Sequence, residues 1–375
     1  MFLLSEGTGR WSALIMKKIL VITLELGHNY GGILQAYALQ QVVRKLGYEP
    51  VTSYTQNQGP LYKQILRRVP GLKAVATLLR PSDAPSTAAT RAFVSQNIPT
   101  VPVPKRRRDF AKFAMVVVGS DQVWRAPYAS LFTSFLIRAP RDLGRIAYAA
   151  SFGKDNILEY NFIQRQICRR LIKRFNGVSA REQSGVAICA NDFGVVAKRH
   201  VDPTMLLERA QYLELVAQGE ALQPELFTYI LDDSSETRRL VEEGTRLVGL
   251  EPFDFIKECD EGCSLLPVGS WISGIANASY VLTDSFHGTV FSILFNKPFL
   301  TFSNPDRGQT RMESLLELFG LEDRLISDPE LLTEEIVAKP IDWGSVNNVL
   351  EREKERSRDF LREHMEVVHC PAQPW

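Results

Sequence analysis

Short apolar runs that end in glycine-rich or polar turns, and pass directly into helix-patterned segments, recur along this chain; no other feature narrows its fold as much. Ile19-Leu20-Val21-Ile22-Thr23 is the first run, and Gly27-His28-Asn29-Tyr30-Gly31-Gly32 is its turn. Over residues 33–46, Leu39, Val42, Val43 and Leu46 share one helical face, and Gly47 stops the helix. Residues 114–118 run into Gly119-Ser120-Asp121, residues 146–150 into Ser151-Phe152-Gly153, and residues 177–180 into Arg181, with a helical pattern over 158–175. Val201-Asp202-Pro203-Thr204 closes this half. Strands alternating with helices imply a parallel sheet covered on both faces.

Residues 218–224 break the pattern. A second series opens at Leu226-Phe227-Thr228-Tyr229-Ile230-Leu231 and predicts a helix over 235–247, a strand near Phe253 and a helix over 269–277. A strand over 280–283, a helix over 288–296 and a strand at Phe299-Leu300-Thr301 follow. A last long helix, about 345–367, carries Glu351-Arg352-Glu353-Lys354-Glu355-Arg356, whose alternating charges pair along a solvated face. The expected fold class is α/β, with two Rossmann-like doubly wound domains facing across a cleft and the C-terminal helix packing back on the first. The expected divisions are an N-terminal extension (1–15), a first domain (16–215), a second domain (216–340), and a helix with its tail (341–375). Ligands of such a pair lie in the cleft between the carboxyl ends of the two sheets.

Composition limits the partners. With 45% hydrophobic and 23% charged residues in 375, the chain belongs among globular proteins of about two domains. Lys plus Arg (44) nearly cancels Asp plus Glu (43), so no overall field draws a nucleic-acid backbone, and any anion site must be local. The five cysteines, at 168, 189, 259, 263 and 370, are few and odd in number, which argues against a disulfide framework and fits a reducing cytosol. Cys259 and Cys263 lack a second pair, so they read as free thiols and no metal site is expected. Residues 19–26 form the longest apolar candidate and already contain Thr23 and Glu25, far short of a membrane span or a signal segment. The expected location is cytoplasmic.

Four polar turns could carry chemistry. At Asn29, Gly31 and Gly32 a backbone can approach a ligand closely, although this is not the G-x-G-x-x-G fingerprint and an unliganded turn reads the same way. At Gly119-Ser120-Asp121-Gln122-Val123-Trp124, polar side chains follow a buried strand. Either these groups face a ligand with Trp124 packed on a sugar face or a neighbouring helix, or Ser120 or Asp121 caps the next helix and Trp124 is core. At Asp284-Ser285-Phe286-His287-Gly288, an imidazole at a strand end can protonate a substrate or hold a phosphate. These residues are too close in sequence for a hydrolytic triad. Finally Lys297, Arg307 and Arg311 group near His287, and Arg181 opens a helix in the first half; such cations fork onto carboxylate or phosphate. A basic amphipathic stretch over 61–80, and Lys105-Arg106-Arg107-Arg108 beyond it, fit an anionic bilayer or a mobile basic surface equally.

The blocks Asn29-x-Gly31-Gly32-Ile33-Leu34-Gln35-Ala36-Tyr37-Ala38-Leu39, Val118-Gly119-Ser120-Asp121-Gln122-Val123-Trp124, Ala180-Arg181-Glu182, Val201-Asp202-Pro203-Thr204 and Thr283-Asp284-Ser285-Phe286-His287-Gly288, in this order, resemble the polysaccharide pyruvyl transferase family. The resemblance implies a GT-B-like fold and transfer of a pyruvyl group from phosphoenolpyruvate to a sugar of a cell-surface glycan or its lipid-linked precursor, giving a ketal, without a cofactor. On that reading His287 is the acid or a phosphate ligand, and Asp121 serves the sugar side. Arg181, Ser285, Gly288, Lys297, Arg307 and Arg311 surround the donor, while Asn29, Gly31, Gly32, Ser120, Gln122 and Trp124 surround the acceptor. Many relatives carry Arg where Ser285 stands, so the contact that Arg would make to the donor carboxylate must come from elsewhere or the donor differs. A nucleotide-sugar glycosyltransferase of the same architecture and a non-catalytic glycan-assembly protein are the alternatives.

Overall fold

The computed structural model describes residues 16–55, 86–217, 219–262, 264–303 and 308–366. The basic stretch 61–80, Arg307, Cys263 and Cys370 lie outside them.

Two parallel sheets form the molecule. The first has the order β2-β1-β3-β4-β5-β6, with β1 Lys18–Leu24, β2 Glu49–Thr55, β3 Met115–Val118, β4 Gly144–Ala150, β5 Gly177–Ala180 and β6 Lys198–Arg199. The second has the order β11-β10-β9-β7-β8, with β7 Leu226–Tyr229, β8 Pro252–Asp254, β9 Tyr280–Thr283, β10 Phe299–Phe302 and β11 Leu325–Ile326. All paired strands are parallel. Five consecutive residues of β1 and all four of β3 are buried, as a sheet covered on both faces requires. In each sheet the chain reverses its winding beside its first strand, between β1 and β3 and between β7 and β9. Those are the points where an open α/β sheet leaves a crevice at its carboxyl edge.

The two halves share a core. Tyr30, the first residue of the helix Tyr30–Lys45, inserts its ring among Tyr229, Phe255 and Trp271 of the second half, stacking on Trp271 at 6.0 Å. Its hydroxyl donates to the Leu266 carbonyl at 2.8 Å. Burial is the largest cause raising the Tyr30 phenol, followed by the neighbouring Cys259 thiol.

The helix Trp343–Glu366 returns to the first half, where the Tyr48 hydroxyl donates to the Met365 carbonyl at 2.8 Å. Its charged run corrects the sequence reading of a wholly solvated face. Glu353 and Lys354 are each 3% exposed, because the helix lays its middle on the first domain and Lys354 reaches Glu208 at 3.1 Å. The helix predicted over 158–175 is shorter, Phe162–Ile172. Asn161 caps it, accepting from the Gln164 backbone while Gln164 accepts in return, so residues 158–160 remain loop.

Candidate functional site

The cleft between the halves holds a cavity of about 250 Å³ lined from the first domain by Asn29, Asp121, Gln122 and Tyr128. Asp284, Ser285, Phe286, His287, Gln309 and Arg311 line it from the second. The ends of β1, β3 and β9 place most of these groups. After β1, Asn29 caps the helix Tyr30–Lys45, its Oδ1 accepting from the Gly32 N–H at 3.0 Å. After β3 the backbone turns sharply; the Gly119–Ser120 peptide is cis, and Asp121 is left-handed with φ 67°. After β9, Ser285 caps the helix Phe286–Leu294, so His287 stands in its first turn where the helix dipole is positive. Asp284 accepts from the Leu231 and Asp232 N–H groups at 2.7 and 2.9 Å, tying the ends of β9 and β7 together.

Behind this wall lies a buried charge network. Arg181 donates to Asp202 Oδ2 at 2.6 Å and to Asp121 Oδ1 at 3.2 Å, and its guanidinium lies 4.2 Å from the Phe286 ring centroid. Arg311 approaches Asp121 at 3.9 Å and Phe286 at 5.5 Å. Asp202 Oδ2 also accepts from Ser120 Oγ at 3.2 Å, while Oδ1 accepts from the Thr204 N–H and hydroxyl at 3.0 and 2.8 Å. His287 Nε2 faces Asp202 Oδ2 at 3.6 Å.

Burial alone would raise the Asp202 carboxyl, but the His287 and Arg181 contacts outweigh it and hold Asp202 well below the usual carboxylate range. Burial works against the Arg181 charge, yet Asp202 and Asp121 hold it above its ordinary value. Arg311 is pushed down to about 10 by burial and then by Arg181, and so remains a cation at neutral pH. Burial likewise raises Glu182, against the pull of both arginines.

The structure therefore brings together Asn29, Asp121, Gln122, Ser285, His287 and Arg311 at the cavity. Gly31, Gly32, Ser120, Arg181 and Gly288 lie just behind it. Gly31 packs against the His287 ring, and Gly288 packs on Thr283. Arg181 is a strut between two carboxylates rather than a group facing the cavity. Trp124 is 0% exposed and packs on Phe135 and Phe152 at 5.2 and 5.0 Å, so the core reading of that residue holds and the sugar-face reading is corrected. Lys297 is also displaced from its expected place. It precedes β10, at the amino end of the strand, and the cleft lies at the carboxyl ends. Asp202 and Phe286 stand in sequence motifs that carry no assigned role, and nothing in the sequence singles out Tyr128 or Gln309. An Asp-Pro at the end of a strand series is the signal that pointed to Asp202.

These features define a two-domain α/β protein of the GT-B fold with a charged interdomain cleft. The model of the polysaccharide pyruvyl transferase family matches residues 29–307, and the chain belongs to that family. Two solved structures share its fold. UDP-N-acetylglucosamine 2-epimerase from Rickettsia bellii has TM-score 0.51 at 12% identity, over 94% of this chain and 97% of that one. LpCGTa in complex with UDP has TM-score 0.50 at 10% identity, over 95% and 100%. No curated protein matches the chain.

Proposed function

We infer that this transferase moves the pyruvyl group of phosphoenolpyruvate onto two hydroxyls of a glycan sugar, forming a ketal. The observation that carries the reading is the juxtaposition, across one cleft, of His287 at a helix N-terminus, the Arg311 cation and the Asp121 carboxylate. Phosphoenolpyruvate has two anionic groups and a basic methylene carbon, and it needs a cation, a helix N-terminus and an acid.

His287 protonates the methylene, which leaves a cation at C2. One sugar hydroxyl adds there, losing its proton to Asp121. Phosphate departs with its electron pair and takes up the proton held by Asp121, and a second hydroxyl closes the ketal as it gives its proton back to His287. Arg311 and the backbone N–H groups of Phe286 and His287, at the helix N-terminus, hold the donor anions. Arg311, entering on the helix Gln309–Phe319, supplies a cation beside Phe286, and Ser285 is left to cap the helix. Gln122 and Asn29 line the opposite, acceptor side.

The test is phosphate release from phosphoenolpyruvate with a panel of lipid-linked sugars, together with mass spectrometry for the added ketal. Calorimetric binding of a nucleotide sugar, with none of phosphoenolpyruvate, would replace this reading with glycosyl transfer.

A further inference from the structure

We propose that the exposed start of the helix Phe162–Ile172, with the loop before it, is the surface by which this protein rests on an anionic lipid bilayer. Leu158, Phe162 and Ile163 are 76%, 75% and 65% exposed, an aromatic and two aliphatic side chains together at one helix end. Scattered single apolar residues on a surface are ordinary, but a cluster of this size at the tip of one element is what an interface leaves open.

The charge around the tip names the partner. Residues 160–181 contain no Asp or Glu, while Arg165, Arg169, Arg170, Lys173 and Arg174 follow the apolar end within three turns. Arg169, Arg170, Lys173 and Arg174 are exposed. At about 1.5 Å per residue, Arg165 and Arg169 stand one and two turns above Phe162. That is the depth at which lipid phosphates lie when an aromatic tip enters the acyl boundary. The acidic residues nearby are Asp155, Glu159 and Asp192, and Glu159 is already turned to Arg125 at 3.4 Å. A protein partner would need an acidic surface with an apolar centre, whereas an anionic bilayer offers both layers at the right spacing over any area.

The tip is also placed for the cleft. The loop between β4 and this helix contains Gly153, which packs on Gln122 and whose carbonyl approaches Gly308, both at the cavity wall. The docking tip and the cavity wall are thus joined by one loop of the first domain. This inference does not rest on the pyruvyl-transfer reading, because membrane binding is measured without turnover.

The experiment is co-sedimentation of the full chain with phosphatidylglycerol vesicles and with phosphatidylcholine vesicles. The wild type is expected to pellet with the former, less so as salt rises, and to stay in solution with the latter. The pair Phe162→Ser with Ile163→Ser, and separately Arg169→Glu with Arg170→Glu, should each weaken binding at least about tenfold. Both should keep the wild-type circular dichroism and melting temperature, since these side chains are exposed. Variants that pellet unchanged would overturn the proposal, including the case where only charge reversal within 61–80 abolishes binding. A dimer in light scattering that the Phe162 and Ile163 changes dissolve, without vesicle binding, would assign the tip to a second copy and overturn it too.

Discussion

The ring of His287 occupies the space that a β-carbon on Gly31 would fill, although the two residues belong to different domains and lie 256 positions apart. The absence of a side chain at Gly31 is therefore what lets the second half bring its imidazole to the mouth of the first. Tyr30, the preceding residue, anchors the same helix in the second domain's aromatic core.

Gly31→Ala must push the His287 ring aside. A displacement of about 1 Å in a catalytic group costs about 100-fold. Phosphate release from phosphoenolpyruvate should fall by that order while circular dichroism stays unchanged; a normal rate would show that the ring position is irrelevant.

His287→Ala and Arg311→Met separate two roles. The first should abolish transfer with the circular dichroism of the folded chain retained. The second should mainly raise KM for phosphoenolpyruvate, by roughly ten- to a hundredfold, as expected when a charge-assisted hydrogen bond of about 1.5–3 kcal/mol is lost. Steady-state kinetics on both variants decides the assignment.

Asp202→Asn leaves Arg181 with one carboxylate instead of two in a site closed to water. Breaking a buried pair of this kind costs about 3–5 kcal/mol, which urea denaturation would register. Asp202 in the folded protein is held below its unfolded value, so its stabilisation is present above about pH 4 and is lost as pH falls further. The acid limb of the stability curve should flatten in the variant.

His200 predicts a second pH effect, at milder acidity. Its ring is 3% exposed, contacts Ser357 Oγ at 3.1 Å and packs on Phe360 at 4.8 Å. Burial, and then Arg356 and Lys198, push it down to about 4. Above about pH 6.5 neither the folded nor the unfolded state binds this proton. Between 6.5 and 4 only the unfolded chain takes it, so stability declines across that window, by on the order of 3 kcal/mol. Melting temperatures from pH 7.5 down to 4.5 should show the decline in wild type and a shallower one in His200→Phe.

Much of this architecture is written in local sequence. The strand predicted over 280–283 is β9 residue for residue, and the long charged helix starts within two residues of its expected place. Asn29, Asp121 and His287 were visible as site candidates because each follows an apolar run, and strand ends are where open α/β sheets gather ligands. Trp124, which follows the same rule, and Lys297, expected there because it lies near His287 in sequence, stand elsewhere. The turn after Asp121 directs Trp124 inward onto Phe135 and Phe152, and Lys297 stands at the wrong end of its strand.

The sequence by itself determined two series of strands and helices and the turns that bear polar groups, since hydrophobic periodicity acts within a few residues. Only the tertiary structure decided that Asp202 holds Arg181 across 21 residues and faces His287 across 85, and that Gly31 admits His287. The physical reason is that a buried charge is settled by whatever partner the whole fold brings within about 4 Å, and no local pattern encodes that distance.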